Sequence, residues 1–111
     1  MKVLTLTGLL TTIALTLPTV AVAAVDEDGA TALLKSSGCN SCHAVDTKKM
    51  GPAFKDVAAK YKGKADAADT LHKYVTSGPM AKIGSKEQKH PAVKSSDEAA
   101  IKNMVAYILA R

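Results

Sequence analysis

The sequence predicts an all-α domain of about four helices, and three observations carry that expectation. Apolar residues recur at helical spacing in four separate segments. No segment alternates apolar and polar residues as a half-buried strand would, and no internal repeat or low-complexity stretch interrupts the pattern. Between the first two helical segments, Cys39-Asn40-Ser41-Cys42-His43 gathers two thiols and an imidazole within five residues. That spacing reads as c-type haem attachment: the thiols can form thioethers to two vinyl groups, and the adjacent imidazole can bind the iron from one face. Cys39, Cys42 and His43 are therefore one functional unit, and the helices are expected to pack around a covalently attached haem.

Other chemistries use paired cysteines. A structural zinc site needs four closed ligands, yet the chain has no further cysteine, and its remaining histidines, His72 and His90, do not form a spaced pair. A thioredoxin-like dithiol belongs beside a βαβ pattern, which is absent.

With 111 residues the chain is a single domain at most. Its first part reads as an export leader. Lys2 precedes an uncharged run over residues 3–17, then Pro18 and the small residues Ala21-Val22-Ala23, the three-part form of a secretory signal peptide cleaved after Ala23. The run is too short and too rich in Thr to span a bilayer comfortably, so processing is expected rather than anchoring. Residues 1–23 are thus the leader and residues 24–111 the functional domain, exported to the periplasm without stable membrane insertion.

That domain holds only Phe54, Tyr61, Tyr74 and Tyr107 as aromatics and no Trp. So small and aromatic-poor a chain has difficulty building its own core, and a buried porphyrin would supply the missing apolar bulk. Over the full chain, fifteen Lys plus Arg against ten Asp plus Glu give a formal net charge of +5, and only Lys2 of these charges lies in the leader. A lysine-rich surface steers encounters with acidic partners, an effect that salt screens. Nucleic acid is not expected as a partner, because no basic helix, aromatic platform or binding motif is present.

The elements follow in order. Residues 26–36 form a helix opened by acidic residues, with Ala30, Leu33 and Leu34 on its apolar face and Gly38 as its stop. Residues 46–50 read as an exposed loop, and Gly51-Pro52 as a turn that starts a second helix with Pro in its first turn. Phe54, Val57, Ala58 and Tyr61 follow at i, i+3, i+4 and i+7, ending at Gly63. In this chain core and cofactor wall are the same place, so Phe54 and Tyr61 are candidates for contact with the haem. Residues 66–77 give a third helix with Ala68, Leu71 and Val75 inward, and His72 is expected at the surface or boundary. Residues 78–94 show no sustained period and read as a long loop, one that is usually functional in a small domain. It carries Met80 and His90, either of which could close the second axial position of an iron. Residues 95–111 give the clearest helix: Ser95 and Glu98 stand at capping-box spacing, and Ile101, Met104, Val105, Ile108 and Leu109 form a stripe in which Met104 packs rather than ligates.

This order of motifs resembles the small bacterial class I cytochromes c over nearly all of residues 26–111. The matching features are the helix leading into Cys39-Asn40-Ser41-Cys42-His43, then Gly51-Pro52-Ala53-Phe54-Lys55-Asp56-Val57-Ala58 up to Tyr61, and the terminal helix ending Ala106-Tyr107-Ile108-Leu109. The resemblance implies a class I cytochrome c fold in which the first and last helices cross near Tyr107. It also implies that the carbonyl of Pro52 accepts a hydrogen bond from His43, fixing the ring and tuning its basicity. The chain departs from the family at the distal ligand. The family has a Met-Pro pair shortly before the last helix, after a loop containing Trp-Gly; this chain has His90-Pro91 there and no Trp. His90 fits the family spacing, whereas Met80 comes too early, so His43 and His90 are expected as the two axial ligands, with Met80 the alternative to His90.

The function expected is that of a periplasmic monohaem one-electron carrier between larger redox proteins, not an enzyme. Lys48, Lys49, Lys82, Lys86 and Lys89 would form a docking rim for donor and acceptor proteins that are acidic at their contact face, and the protein would act as a monomer. The alternative from another class is a haem-based gas sensor or small haem enzyme with a displaceable distal ligand.

Overall fold

A computed structural model describes residues 24–111; the leader expected over residues 1–23 lies outside the described residues. Helix α1 runs Glu27–Ser36, α2 Phe54–Tyr61, α3 Ala67–Ser77 and α4 Glu98–Leu109. Among the described residues, no helix is long and apolar enough to cross a membrane.

Helix α1 begins where Asp26, in extended conformation, accepts a hydrogen bond from Gly29 N at 2.9 Å, with Glu27 and Asp28 favourably placed in the first turn. It ends at Gly38, whose φ of 76° is left-handed. Helix α2 starts later than expected. Pro52 is not in its first turn: Ala53 is the N-cap, with extended ψ of 148°. The exposed donors of that first turn are satisfied by neighbouring backbone, Phe54 N–H to the Ala44 carbonyl at 2.9 Å and Lys55 N–H to that of Val45 at 3.1 Å. The start of α2 is thereby fastened to the chain that leaves His43.

In α3, Leu71 is buried, but Ala68 is exposed, contrary to expectation. The inward row steps by four, through Ala67, Leu71 and Val75, which leaves Ala68 on the outer edge. His72 does lie at the boundary, with Nε2 2.9 Å from Glu98 Oε2 at the head of α4.

The segment after α3 is not irregular. Strand β1, Met80–Ile83, pairs antiparallel with β2, Lys86–Lys89, in the register Met80↔Lys89 to Ile83↔Lys86. Gly84, with φ of 63°, makes the turn. The strand signal is absent from the sequence because every residue of β2 is exposed, and β1 half-buries only Ala81 and Ile83. A hairpin without an apolar face has no alternation to read.

Helix α4 also starts on a different cap. Asp97, not Ser95, is the N-cap, accepting from Ala100 N at 3.1 Å, while Ser95 Oγ accepts from Asp97 N. The carboxylate next to the helix takes the place that the Ser95 hydroxyl was expected to fill.

Helix α4 packs against α1, α2 and α3. The core joins Ala30 and Leu34 of α1, Phe54 of α2 and Leu71 of α3 to Met104, Val105, Tyr107 and Ile108 of α4. Met104, at 1% exposure, is a packing residue. Tyr107 is buried in that cluster, and the Arg111 guanidinium lies 4.0 Å from its ring centroid while reaching Glu27 Oε1 at 2.8 Å. That hydrogen bond holds the Arg111 proton more tightly than usual.

Candidate haem site

The chain turns sharply out of α1 at Gly38 and forms one 3₁₀ turn over Cys39–Ser41. The Cys39 carbonyl accepts from both Cys42 N at 3.1 Å and His43 N at 2.9 Å, so the two thiols and the imidazole are presented on one tight coil. Both cysteines are half-buried and free. Burial is the main cause pushing the Cys39 thiol above its ordinary pKa.

The His43 ring is held from three directions. Its Nδ1–H donates to the Pro52 carbonyl at 2.7 Å, and because a carbonyl can only accept, the lone pair is left on Nε2. Phe54 stacks on the ring at 5.4 Å between centroids and 16° between planes. Gly51 lies against it so closely that a Cβ there would sit 2.8 Å from Nε2. The Gly51 approach is maintained by its own N–H, which donates to the Cys42 carbonyl at 2.8 Å.

Opposite stands His90, just past the end of β2. Its N–H donates to the Pro79 carbonyl at 2.8 Å, closing the base of the hairpin. The next residues are anchored to the body: Val93 N–H donates to the Val75 carbonyl at 2.9 Å, and Lys94 N–H to the buried Ser37 Oγ at 3.0 Å. The His90 Nδ1–H donates to the Pro91 carbonyl at 2.9 Å, so this ring too keeps its lone pair on Nε2. Burial pushes its pKa below the usual histidine value and favours the neutral, ligating form. The two imidazole centroids are 6.1 Å apart, with planes inclined at 47°.

Between them opens a cleft of about 450 Å³. Cys39, Cys42, His43, Pro52, Phe54, Tyr61 and His90 all line it. Its depth is apolar, formed by Leu34, Leu71, Val75, Met104 and Ile108. Met80 stands apart: it is 64% exposed and contributes nothing to the lining. Sequence reasoning missed Tyr74, Ile83 and Val93, which also face the cleft. Tyr74 follows Leu71 at i+3, a signal that could have placed it on the inner face. Ile83 and Val93 lay in the segment read as loop, where no period points to them.

The family model described as Cytochrome c matches residues 27–111. The chain belongs to the cytochrome c family. Its crystallised relatives include the class 1 cytochrome MtoD from Sideroxydans lithotrophicus ES-1, at 48% identity and a TM-score of 0.74 over 78% of this chain and 97% of that one. The Nitrosomonas europaea cytochrome c552 structure matches at 40% identity and a TM-score of 0.60, over 72% and 96% of the two chains. The cytochrome c-551 of Pseudomonas aeruginosa is 46% identical over 67 residues, 60% of this cytochrome and 64% of that one. This cytochrome thus spans a little under two thirds of the first curated relatives it matches.

The cofactor of the family is one covalently attached haem c, and Cys39-Asn40-Ser41-Cys42-His43 has the form of its attachment motif. The cleft fits that group. Two imidazoles sharing one metal, each at a bond length of about 2 Å, have centroids about 6 Å apart, which the His43 to His90 spacing matches. The apolar depth of the cytochrome provides the dry surroundings that a porphyrin needs.

Proposed function

We propose that this protein is a periplasmic one-electron carrier whose single haem is tethered through Cys39 and Cys42 and closed on both faces by His43 and His90. The observation that carries the reading is the pair of imidazoles 6.1 Å apart, each with its Nδ1–H committed to a backbone carbonyl and its Nε2 free. The 64% exposure of Met80 and its absence from the cleft lining support His90 over Met80 for that place.

When bound, the haem supplies a one-electron couple with no substrate chemistry required of the protein. The chain does the rest. His43, locked by Pro52 and Phe54, fixes one ligand direction, and the hydrogen bond to Pro52 raises the basicity of the ring. His90, fixed by Pro79 and Pro91, sets the other. Leu34, Leu71, Met104 and Ile108 exclude water, and Phe54 and Tyr61 complete the walls. A second imidazole in place of a thioether gives a lower potential than a Met-ligated relative.

The leader over residues 1–23 supports export to the periplasm. Lys48, Lys49, Lys82, Lys86 and Lys89 are all exposed, and Lys82 reaches the mouth of the cleft. They suit a monomer that docks briefly on acidic faces of donor and acceptor proteins.

Electron paramagnetic resonance of the ferric protein tests the ligand set. A low-spin bis-imidazole spectrum is expected, lost in His90→Ala and retained in Met80→Ala; a change confined to Met80→Ala overturns it. Carbon monoxide separates carrier from gas sensor: the reduced protein is expected to refuse it, and rapid binding would assign the second class.

A further inference from the structure

Resting on the reading that His90 is the distal ligand, we infer that Tyr74 is the positioning residue that sets the plane of the His90 imidazole. His90 belongs to a segment with little else to hold a side chain, since the hairpin before it is exposed along all of β2. Its main chain is well pinned. The N–H is bound to Pro79, and the carbonyl lies so near Gly78 that a Cβ on that glycine would approach it to 2.5 Å. On the protein side, the ring meets the Pro91 carbonyl and the ring of Tyr74. The Pro91 carbonyl fixes the tautomer and one direction, but a single hydrogen bond leaves the ring free to swing about that direction.

Tyr74 supplies the missing constraint. Its ring meets that of His90 edge-on, 5.2 Å between centroids and 67° between planes. This is the perpendicular arrangement that aromatic quadrupoles prefer. Tyr74 sits in α3, which packs on α4, so the reference surface belongs to the rigid body and not to the hairpin. His43 has a separate seat, stacked nearly parallel on Phe54. The 47° between the two imidazole planes is therefore the difference between two independently built seats, one from α2 and one from α3.

That angle has an electronic consequence. Each imidazole raises whichever iron π-type orbital lies perpendicular to its plane. Parallel rings raise the same orbital and split the pair widely; perpendicular rings raise both and close the gap. The spread of g values in the ferric low-spin spectrum reports this splitting, independently of electron-transfer activity.

The test is paramagnetic resonance of the full-length holoprotein with Tyr74→Phe, Tyr74→Leu and Tyr74→Met, beside His90→Ala. Tyr74→Phe keeps the ring edge and is expected to reproduce the parent g values. Tyr74→Leu and Tyr74→Met remove it and are expected to shift and broaden the low-field feature while remaining low-spin bis-imidazole. Unchanged g values in both aliphatic variants overturn the inference, as does a shift in Tyr74→Phe equal to theirs, which would assign the effect to the hydroxyl. If one aliphatic variant fails to fold, the other carries the comparison. A parent spectrum unaltered by His90→Ala is the distinct result that removes the ligand assignment itself, and the inference with it.

Discussion

Asn103 exchanges two hydrogen bonds with the backbone of Asp26: Asp26 N–H donates to Asn103 Oδ1 at 2.9 Å, and Asn103 Nδ2 donates to the Asp26 carbonyl at 2.7 Å. One side chain of α4 thus behaves as a backbone partner for the residue that caps α1, and the packing of the terminal helices is fixed in register as well as in area. Asn103→Ala removes both bonds where water can partly replace them, so the expected loss is about 1 to 2 kcal/mol. Guanidinium titration of the holoprotein reads it directly. Asn103→Asp, which keeps the acceptor and loses the donor, should fall between the two.

Gly51 is required for a packing reason rather than a conformational one. An added Cβ would press on the His43 ring, and the ring cannot retreat while Phe54 stacks on it. Gly51→Ala is expected to lower stability by about 1 to 3 kcal/mol. It should also disturb the proximal ligand field. Thermal melts and the visible spectrum, taken together, check both halves.

The lysines of the hairpin lie on elements that bury almost nothing, so neutralising them leaves the core alone. Lys82→Gln, Lys86→Gln and Lys89→Gln combined are expected to slow oxidation of the reduced protein by anionic ferricyanide about tenfold at low salt. A cationic cobalt complex should show the opposite trend. Stopped-flow traces at two ionic strengths separate steering from any change in driving force.

Without its cofactor the domain should not hold together. The apolar walls of a 450 Å³ cleft would face water, and the chain has few large side chains with which to collapse upon them. In Cys39→Ser/Cys42→Ser protein prepared free of porphyrin, far-ultraviolet circular dichroism is expected to show loss of most helix. A native helical signal with a cooperative melt would contradict this.

Four helices were legible because each buries a stripe against the same centre, and the stripe of α4 is nearly continuous from Ile101 to Ile108. The grouping of Cys39, Cys42 and His43 was legible because the three adjoin in sequence, whereas the hydrogen bond of His43 to the Pro52 carbonyl was expected only from the resemblance to the small bacterial class I cytochromes c. What stayed hidden depends on distance or on solvent. The hairpin has no apolar periodicity to betray it. The contact of Tyr74 with His90 joins α3 to a point beyond the hairpin, which no spacing rule connects. Helix starts were displaced where competing partners existed, as at Asp97 and at Ala53.

The bond from His90 N–H to the Pro79 carbonyl has a further consequence. By sealing the neck of the hairpin it uncouples the arms from the His90 side chain that they precede. The segment could be lengthened by two residues in each arm and still return the chain to the same point with the same side chains outward. The tip at Gly84-Ser85 is accordingly a graft position, where a surface linker or an electrode tether could be attached without displacing His90.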